Sequence, residues 1–220
     1  FIETLEHHEG KYAGSNFQLM RYQEVGIVRP LFGLKRKDGT RLYREAYIEL
    51  PRKNGKSELA SALVSYLLFG DGEPGAEVYG AAYDRDQAKI IFRKTKRKIE
   101  SHPFLSKLAE IKEYQNRITF PKIYGSYEAI SRQTEKQEGL NPSGNVIDEL
   151  HTFKSRDIVD TLKTATGVRE QPLTIMITIA GETQDSVAGE QRQYAQAVKK
   201  GDVQDPSFFS YIASAEELLD

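Results

Sequence analysis

The sequence predicts an α/β domain in three layers, with a mostly parallel central sheet flanked by helices and an antiparallel edge. Candidate strands alternate with candidate helices along most of the chain, which is typical of parallel sheets with right-handed crossovers. Residues 173–180 form an apolar run without alternation, as expected for a strand that is covered on both faces. Because ligands bind at the carboxyl ends of the strands in such sheets, the functional site is expected there.

Each predicted helix or strand is supported by a sequence pattern of its own. A strand at 42–50 is predicted by alternating apolar residues that stop at Pro51, and a helix at 56–69 by apolar residues at helical spacing. A strand at 76–83 precedes a helix at 84–100, whose first turn Asp84 can cap. The other predicted elements are short β runs at 110–131 that form a meander or antiparallel edge, strands at 144–149, 173–180 and 208–213, and helices at 156–166 and 186–200. Residues 1–17 are expected to be a weakly patterned extension that contains a short helix and a loop.

The composition indicates one soluble globular domain of 220 residues. No apolar run approaches the length of about 18 residues that spans a bilayer, so no membrane segment is expected. The absence of cysteine excludes disulfides, thiolate zinc sites and a cysteine nucleophile, and leaves the cytoplasm as the default compartment. With a formal net charge of −1, any contact with nucleic acid needs a local basic patch. Because the chain begins at Phe1 and shows no signal-peptide pattern, we expect a part of a longer protein.

Residues 50–57 form a variant of the phosphate-binding loop, G-x-x-x-x-G-K-[ST]. The tripeptide at 55–57 matches the end of this Walker A pattern, but Leu50 stands in place of its first glycine, and Arg52 and Lys53 add two cations. In such loops backbone N–H groups and a helix N-terminus surround the phosphates, the lysine reaches the β and γ phosphates, and the hydroxyl binds Mg²⁺. A strand before the loop and a helix after it favour a nucleotide site over the alternative, a basic turn that begins a helix.

A second signal is the pair Asp148-Glu149 at the end of an apolar strand, the Walker B position of a phosphate-loop ATPase. There the aspartate holds Mg²⁺ and the glutamate deprotonates the attacking water. Alone, the pair is also compatible with a strand that ends in solvent. Its order and distance after Lys56 leave room for an extra strand between the two loop-bearing strands. Together the two motifs predict a three-layer P-loop NTPase of the ASCE, RecA-like type.

The segments "ELPRKNGKS", "VIDELHTF" and "ITIAGE" closely resemble the ATPase domain of tailed-bacteriophage terminase large subunits, particularly the HK97-like type. The resemblance extends from about Gln18 to the end of the chain, and the family usually lacks the first glycine of the loop. It implies one ATPase domain over 1–220, without the nuclease domain, which uses ATP and Mg²⁺. The implied partners are double-stranded DNA, a portal protein, a small terminase subunit and further copies in a ring, and the implied location is the procapsid portal vertex in the host cytoplasm.

The same resemblance implies a role for each matching position. Gln23 would contact adenine, and Ser57 and Asp148 would hold Mg²⁺. The remaining nucleotide contacts would come from Arg52, Lys53, Asn54, Gly55, Lys56, Ser57, Thr178 and Gly181. Glu149 would activate water, and Arg52 would also be catalytic. The family further uses an arginine from a neighbouring subunit, for which Arg132 is the candidate because it lies in the loop region before the Asp148-Glu149 strand; the alternative is a solvated surface arginine. A third loop follows the strand at 173–180, where a hydroxyl could sense the γ phosphate; the alternative is a plain strand-to-helix turn. The loop matches the family's coupling motif, but Ile179 stands where a threonine is frequent.

Two other groups of charges have simpler explanations. The five cations within 93–98 are expected to form a solvated helix face, and contact with DNA phosphates is the alternative. His7 and His8 are expected to be exposed.

For the whole chain, the first hypothesis is an ATP-driven translocase that packages double-stranded DNA. The alternatives are a helicase-like P-loop ATPase and a nucleotide-binding assembly module without efficient turnover, although the latter has no need of Glu149. We also expect that this chain alone does not cut DNA.

Overall fold

One sheet of eight strands organises the part of the chain that the structure, a computed structural model, describes: residues 1–132, 139–180, 185–214 and 217. The strands are β1 (Glu45–Glu49), β2 (Glu77–Ala82), β3 (Glu110–Lys112), β4 (Arg117–Phe120), β5 (Gly125–Ser131), β6 (Gly144–Asp148), β7 (Leu173–Thr178) and β8 (Phe208–Ile212). Their order across the sheet is β3-β4-β5-β2-β6-β7-β1-β8.

The pairing of the strands confirms the predicted fold class. The strands from β5 across to β8 are parallel, and β3 and β4 form an antiparallel edge beside β5. All six residues of β7 are buried, as the unbroken apolar run predicts. Strand β7 also lies between β1, which leads into the phosphate loop, and β6, which ends at Asp148. The extra strand expected between the two motifs is therefore present.

Helices cover both faces of the sheet. They are α1 (Arg29–Gly33), which continues a π-helix at Tyr22–Val28, α2 (Lys56–Phe69), α3 (Arg85–Ser101), α4 (Leu105–Leu108), α5 (Asp157–Thr164) and α6 (Val187–Lys200). Helices α2 and α3 pack with one set of strand residues, and α5 and α6 with the alternate set. Asp84 caps α3 as predicted, because its carboxylate accepts hydrogen bonds from the N–H groups of Asp86 and Gln87. No helix within the described ranges is long and apolar enough to cross a bilayer.

The first 17 residues are more ordered than their pattern predicts. Ile2, Leu5 and Phe17 are buried in the core cluster that contains α2 and α3. The expectation that His7 and His8 are simply exposed is wrong, since both are partly buried and the His7 ring lies 4.8 Å from the ring of Phe17. Ile2 and Leu5 are spaced as on a single helical turn and Phe17 stands alone, so the segment has too few periodic residues for its burial to be predicted. The segment is held by packing against the rest of the domain.

Helix α3 also departs from expectation, because its cations do not form a uniformly solvated face. The Lys98 side chain is only 1% exposed, and its ammonium pairs with Glu58 on α2. Lys94 pairs with both Glu58 and Glu9, at 2.6 and 2.7 Å. Arg93 is exposed. We call Glu9, Glu58, Lys94 and Lys98 the Glu58 cluster. Its carboxylates make it possible to bury cations that the sequence pattern places among solvated charges.

Candidate functional site

The ends of β1, β6 and β7 meet at one edge of the sheet, where they open onto a cleft of about 480 Å³. The cleft is lined by Arg52, Lys53, Gly55, Lys56, Ser57, Glu58, Gln87, Lys94, Glu149, His151, Thr152 and Ile179. Residues from the predicted phosphate loop and from the end of the Asp148 strand thus share one cavity. The sequence analysis gave no role at this site to five of these residues, which come from α2, α3 and the turn after β6: Glu58, Gln87, Lys94, His151 and Thr152.

The phosphate loop shows why a leucine suits its first position. Leu50 is fully buried, and its N–H donates to the carbonyl oxygen of Thr178, so β1 continues its pairing with β7 beyond Glu49. The left-handed backbone that glycine favours occurs later in the loop, at Gly55 with φ 69° and at Lys53 with φ 66°. The turn is therefore built without a glycine at position 50.

Two side chains of the same loop donate hydrogen bonds to its own carbonyl oxygens. The Asn54 amide donates to the carbonyl oxygen of Arg52 at 3.1 Å, and the Lys56 ammonium donates to that of Pro51, also at 3.1 Å. Helix α2 begins at Lys56, so Ser57 lies in its first turn, where N–H groups lack helical partners. This arrangement presents backbone donors, an ammonium and a hydroxyl to one space.

The predicted adenine-side residue Gln23 lies against the loop. It is 1% exposed, and its side-chain oxygen accepts from the N–H of Met20 at 3.0 Å. Tyr22 donates from its hydroxyl to the carbonyl oxygen of Asn54 at 2.8 Å and stacks on Tyr211 of β8 at 6.2 Å between ring centroids. Sequence analysis missed Tyr211, because only the parallel pairing of β8 with β1 brings it to this place.

Lys56 and the Asp148-Glu149 pair come together as predicted. Burial, followed by the neighbouring Glu149 carboxylate, raises the pKa of Asp148 to about 7, although the Lys56 ammonium lowers it. Burial in turn lowers the pKa of Lys56, and Glu149 and Asp148 act in the opposite direction. Within the described part of the chain, Oδ1 of Asp148 is buried and has no hydrogen-bond partner. A buried carboxylate oxygen without a partner is suited to a hard cation such as Mg²⁺.

Glu149 is held in an unusual conformation at the mouth of the cleft. Its φ of 53° lies in the left-handed region, which is costly for a residue with a side chain. Its Oε2 lies 3.1 Å from Nδ1 of His151. Nδ1 also lies 3.2 Å from Oγ1 of Thr178, a fully buried residue at the end of β7. The predicted site residue Gly181 lies outside the described residues.

Arg132 is the one predicted catalytic residue of the described chain that the structure places outside the cleft lining. It is exposed at the end of β5, where its guanidinium donates to the hydroxyl of Tyr83 at 3.1 Å and lies 6.0 Å from the Tyr83 ring centroid. The two side chains line a smaller cavity of about 190 Å³ with residues of α5 and the segment before it.

Comparison with known proteins identifies relatives of this domain. The family model for the terminase large subunit, ATPase domain, matches residues 21–197. The terminase large subunit of Enterobacteria phage HK97 is 27% identical over 172 residues, which cover 77% of this chain and 33% of that protein. The chain thus spans about a third of the length of this relative.

Solved structures show the same fold. The crystal structure of the HK97 large terminase matches with a TM-score of 0.81 at 22% identity, covering 97% of this chain and 43% of that chain. The large terminase ATPase domain of Thermus phage P74-26 matches with a TM-score of 0.63 at 18% identity, covering 87% of this chain and 86% of that one. The large terminase of thermophilic bacteriophage D6E in complex with ADP matches with a TM-score of 0.57 at 12% identity, covering 80% of this chain and 42% of that one.

Proposed function

Because the chain belongs to the family of terminase large subunit ATPase domains, we propose that it binds and hydrolyses ATP to drive double-stranded DNA into a phage procapsid. One observation carries the catalytic part of the proposal. Lys56 of the phosphate loop and Glu149, which are distant in sequence, line the same cleft, and the buried Asp148 beside Glu149 is close enough to Lys56 for each to shift the other's pKa. The ADP complex of the D6E relative supports an adenine nucleotide as the ligand.

The phosphate loop would bind the triphosphate. Backbone N–H groups at the start of α2 and the partial positive charge of the helix N-terminus face the cleft, and Lys56 would exchange its bond to the Pro51 carbonyl for phosphate oxygens. Arg52 and Lys53, which line the cleft, would add positive charge, and the Asn54 amide would stabilise the loop conformation. Gln23 and Tyr22, which lie behind the loop, would orient the adenine end.

Ser57 and Asp148 would hold Mg²⁺, which when bound neutralises charge on the phosphate oxygens. The unpartnered Oδ1 of Asp148 fits this role. Because Asp148 has a pKa of about 7, metal binding at lower pH must displace a proton from its carboxyl. Thr178, at the end of β7, would respond to the state of the nucleotide, and the resemblance extends this role to Gly181.

Glu149 would accept the proton of the attacking water, and Arg52 would stabilise charge on the transferred phosphoryl group. Arg132 would act on a neighbouring subunit, because it lies outside the cleft lining of its own chain. This proposal includes a ring of copies, a portal protein, a small terminase subunit and DNA as partners. A water-activating carboxylate in the cleft favours hydrolysis over the alternative of an assembly module without turnover.

The test is ATP hydrolysis by the purified chain with Mg²⁺, together with binding of a fluorescent ATP analogue. We expect weak turnover that increases with protein concentration, since Arg132 acts between copies. Glu149→Gln should keep nucleotide binding and reduce kcat about 100-fold or more, whereas Lys56→Ala should also weaken binding. Glu110→Gln, an exposed glutamate on the edge strand β3, is the control. Wild-type kcat in Glu149→Gln would show that another group activates the water.

A further inference from the structure

A chain of three side chains connects the cleft to the middle of the sheet. His151 lies in the 3₁₀ turn Leu150–Thr152, directly after β6. Its Nδ1 lies 3.1 Å from Oε2 of Glu149 and 3.2 Å from Oγ1 of Thr178. The His151 N–H donates to the same hydroxyl oxygen at 3.1 Å. One imidazole therefore contacts both the proposed base and the strand β7.

The hydrogen bonds of Thr178 determine which form of the imidazole fits. The single hydroxyl hydrogen of Thr178 is donated to the carbonyl oxygen of Ile179 at 3.0 Å. Towards Nδ1 of His151, the Thr178 oxygen can therefore act only as a hydrogen-bond acceptor. The Glu149 carboxylate carries no hydrogen and is also only an acceptor. Both neighbours are therefore acceptors that face a single hydrogen on Nδ1, which they share at 3.2 Å and 3.1 Å. Counting donors places a hydrogen on Nδ1, independently of any titration.

We propose that His151 is a positioning residue for ATP hydrolysis: its Nδ1–H holds the Glu149 carboxylate in place, and Thr178 holds the imidazole. The inference rests on the proposed function and adds to it a residue that no motif assigned. No proton is transferred in this role, because Nδ1 keeps its hydrogen throughout.

The backbone explains why Glu149 needs such support. β6 ends at Asp148, so Glu149 lies beyond the strand ladder, and its φ of 53° is not one that regular structure maintains. Its side chain is 27% exposed. A carboxylate on such a residue has freedom to rotate, and a hydrogen bond from a second side chain restricts that freedom. Thr178 is fully buried in a central strand, which makes it a rigid anchor for the imidazole.

Three variants of His151 distinguish positioning from packing. In His151→Asn the amide nitrogen occupies nearly the place of Nδ1 and can donate, whereas in His151→Gln the amide lies nearer the place of Nε2. His151→Ala removes the donor. We expect His151→Asn to retain kcat within about threefold, and the other two to lower it by about 10- to 100-fold with KM unchanged. Steady-state ATPase assays with Mg²⁺ and the thermal midpoint of each variant are the measurements.

A matched pair on β7 separates the hydroxyl of the site from a hydroxyl of the core. Thr178→Val removes the anchor of the imidazole. Thr174→Val removes a hydroxyl of the same strand that accepts from the Asn145 amide at 3.0 Å across the same β6–β7 pair. Both variants should lower the thermal midpoint, but only Thr178→Val should lower kcat. Combined with His151→Ala, Thr178→Val should then add little further loss.

The outcomes separate this inference from the proposed function. If the wild-type chain does not hydrolyse ATP, the proposed function fails and the positioning role fails with it. If the wild type hydrolyses ATP and His151→Ala keeps its kcat, only the positioning role is overturned. The same holds if His151→Asn and His151→Gln lose equal activity, because a donor at Nδ1 would then have no special importance.

Discussion

Lys56 and Asp148 influence each other's ionisation, although one begins α2 and the other ends β6. The ammonium lowers the pKa of the carboxyl, and the carboxyl raises that of the ammonium. Burial is nevertheless the larger effect on Asp148 and brings its pKa to about 7. The site therefore holds an acid that without bound metal is half protonated near neutral pH.

The first prediction concerns Asp148→Asn and pH. The pKa of Asp148 rises from 3.8 to about 7 on folding, so between these values the folded chain keeps a proton that the unfolded chain has released. The contribution of this group to the free energy of unfolding is then largest below pH 4 and falls as the pH rises towards 7. Asp148→Asn removes this titration. The free energy of unfolding of the variant minus that of the wild type should therefore increase by roughly 2–4 kcal/mol from pH 4 to pH 8. Urea unfolding of both proteins at each pH measures the difference; a pH-independent difference would contradict it.

The second prediction concerns the left-handed residue of the phosphate loop. Lys53 has a φ of 66°, which costs a residue with a Cβ about 1–2 kcal/mol, whereas glycine avoids that cost but has a more flexible unfolded state. Lys53→Gly should therefore be about 0.5–1 kcal/mol more stable than Lys53→Ala in denaturant unfolding. Both variants remove the same charge, so they should weaken ATP binding equally. A more stable alanine variant would mean that the loop does not keep this conformation in solution.

The third prediction concerns the Glu58 cluster. Lys98 pairs with Glu58, donates to the carbonyl oxygen of Glu6 at 3.2 Å and lies 5.2 Å from the ring centroid of Phe17. Lys98→Met should lower the free energy of unfolding by about 2–3 kcal/mol, because a partly buried carboxylate then loses one of the two lysines that pair with it. Arg93→Met, at an exposed position of the same helix, is the control and should stay within about 0.5 kcal/mol. Equal effects would indicate that both cations are solvated.

The fourth prediction concerns a close contact within the sheet. A Cβ added at Gly80 of β2 would lie 2.6 Å from the hydroxyl oxygen of Tyr127 on β5 and 3.0 Å from its Cε2. Gly80→Ala should cost about 1–3 kcal/mol of stability. In the background of Tyr127→Phe the cost should be smaller, because the nearest atom is gone. Gly33→Ala, where the added Cβ meets open space, is the control. Additive effects of the two β-strand substitutions would contradict the contact.

Much of the fold could be predicted because it depends on local patterns. Helix α2 runs from Lys56 to Phe69 as its apolar spacing predicts, and Asp84 and Ser186 cap α3 and α6 through their own side chains. The phosphate loop and the Asp148-Glu149 pair could be predicted for the same reason. Each is a short segment whose chemistry depends on its neighbours in sequence. The alternation of strands and helices then restricts the sheet to few topologies.

The sequence by itself determined the order of elements, the two phosphate-site motifs and the expectation that they meet. Only the tertiary structure decided that β7 separates their strands, that Lys98 is buried beside the Glu58 carboxylate, and that His151 joins Thr178 to Glu149. The physical reason is that hydrophobic periodicity records which face of an element is buried but not which distant side chain will lie opposite. A charged or hydrogen-bonding group is stabilised in the interior by its partner, and that partner is chosen by the packing of the whole chain.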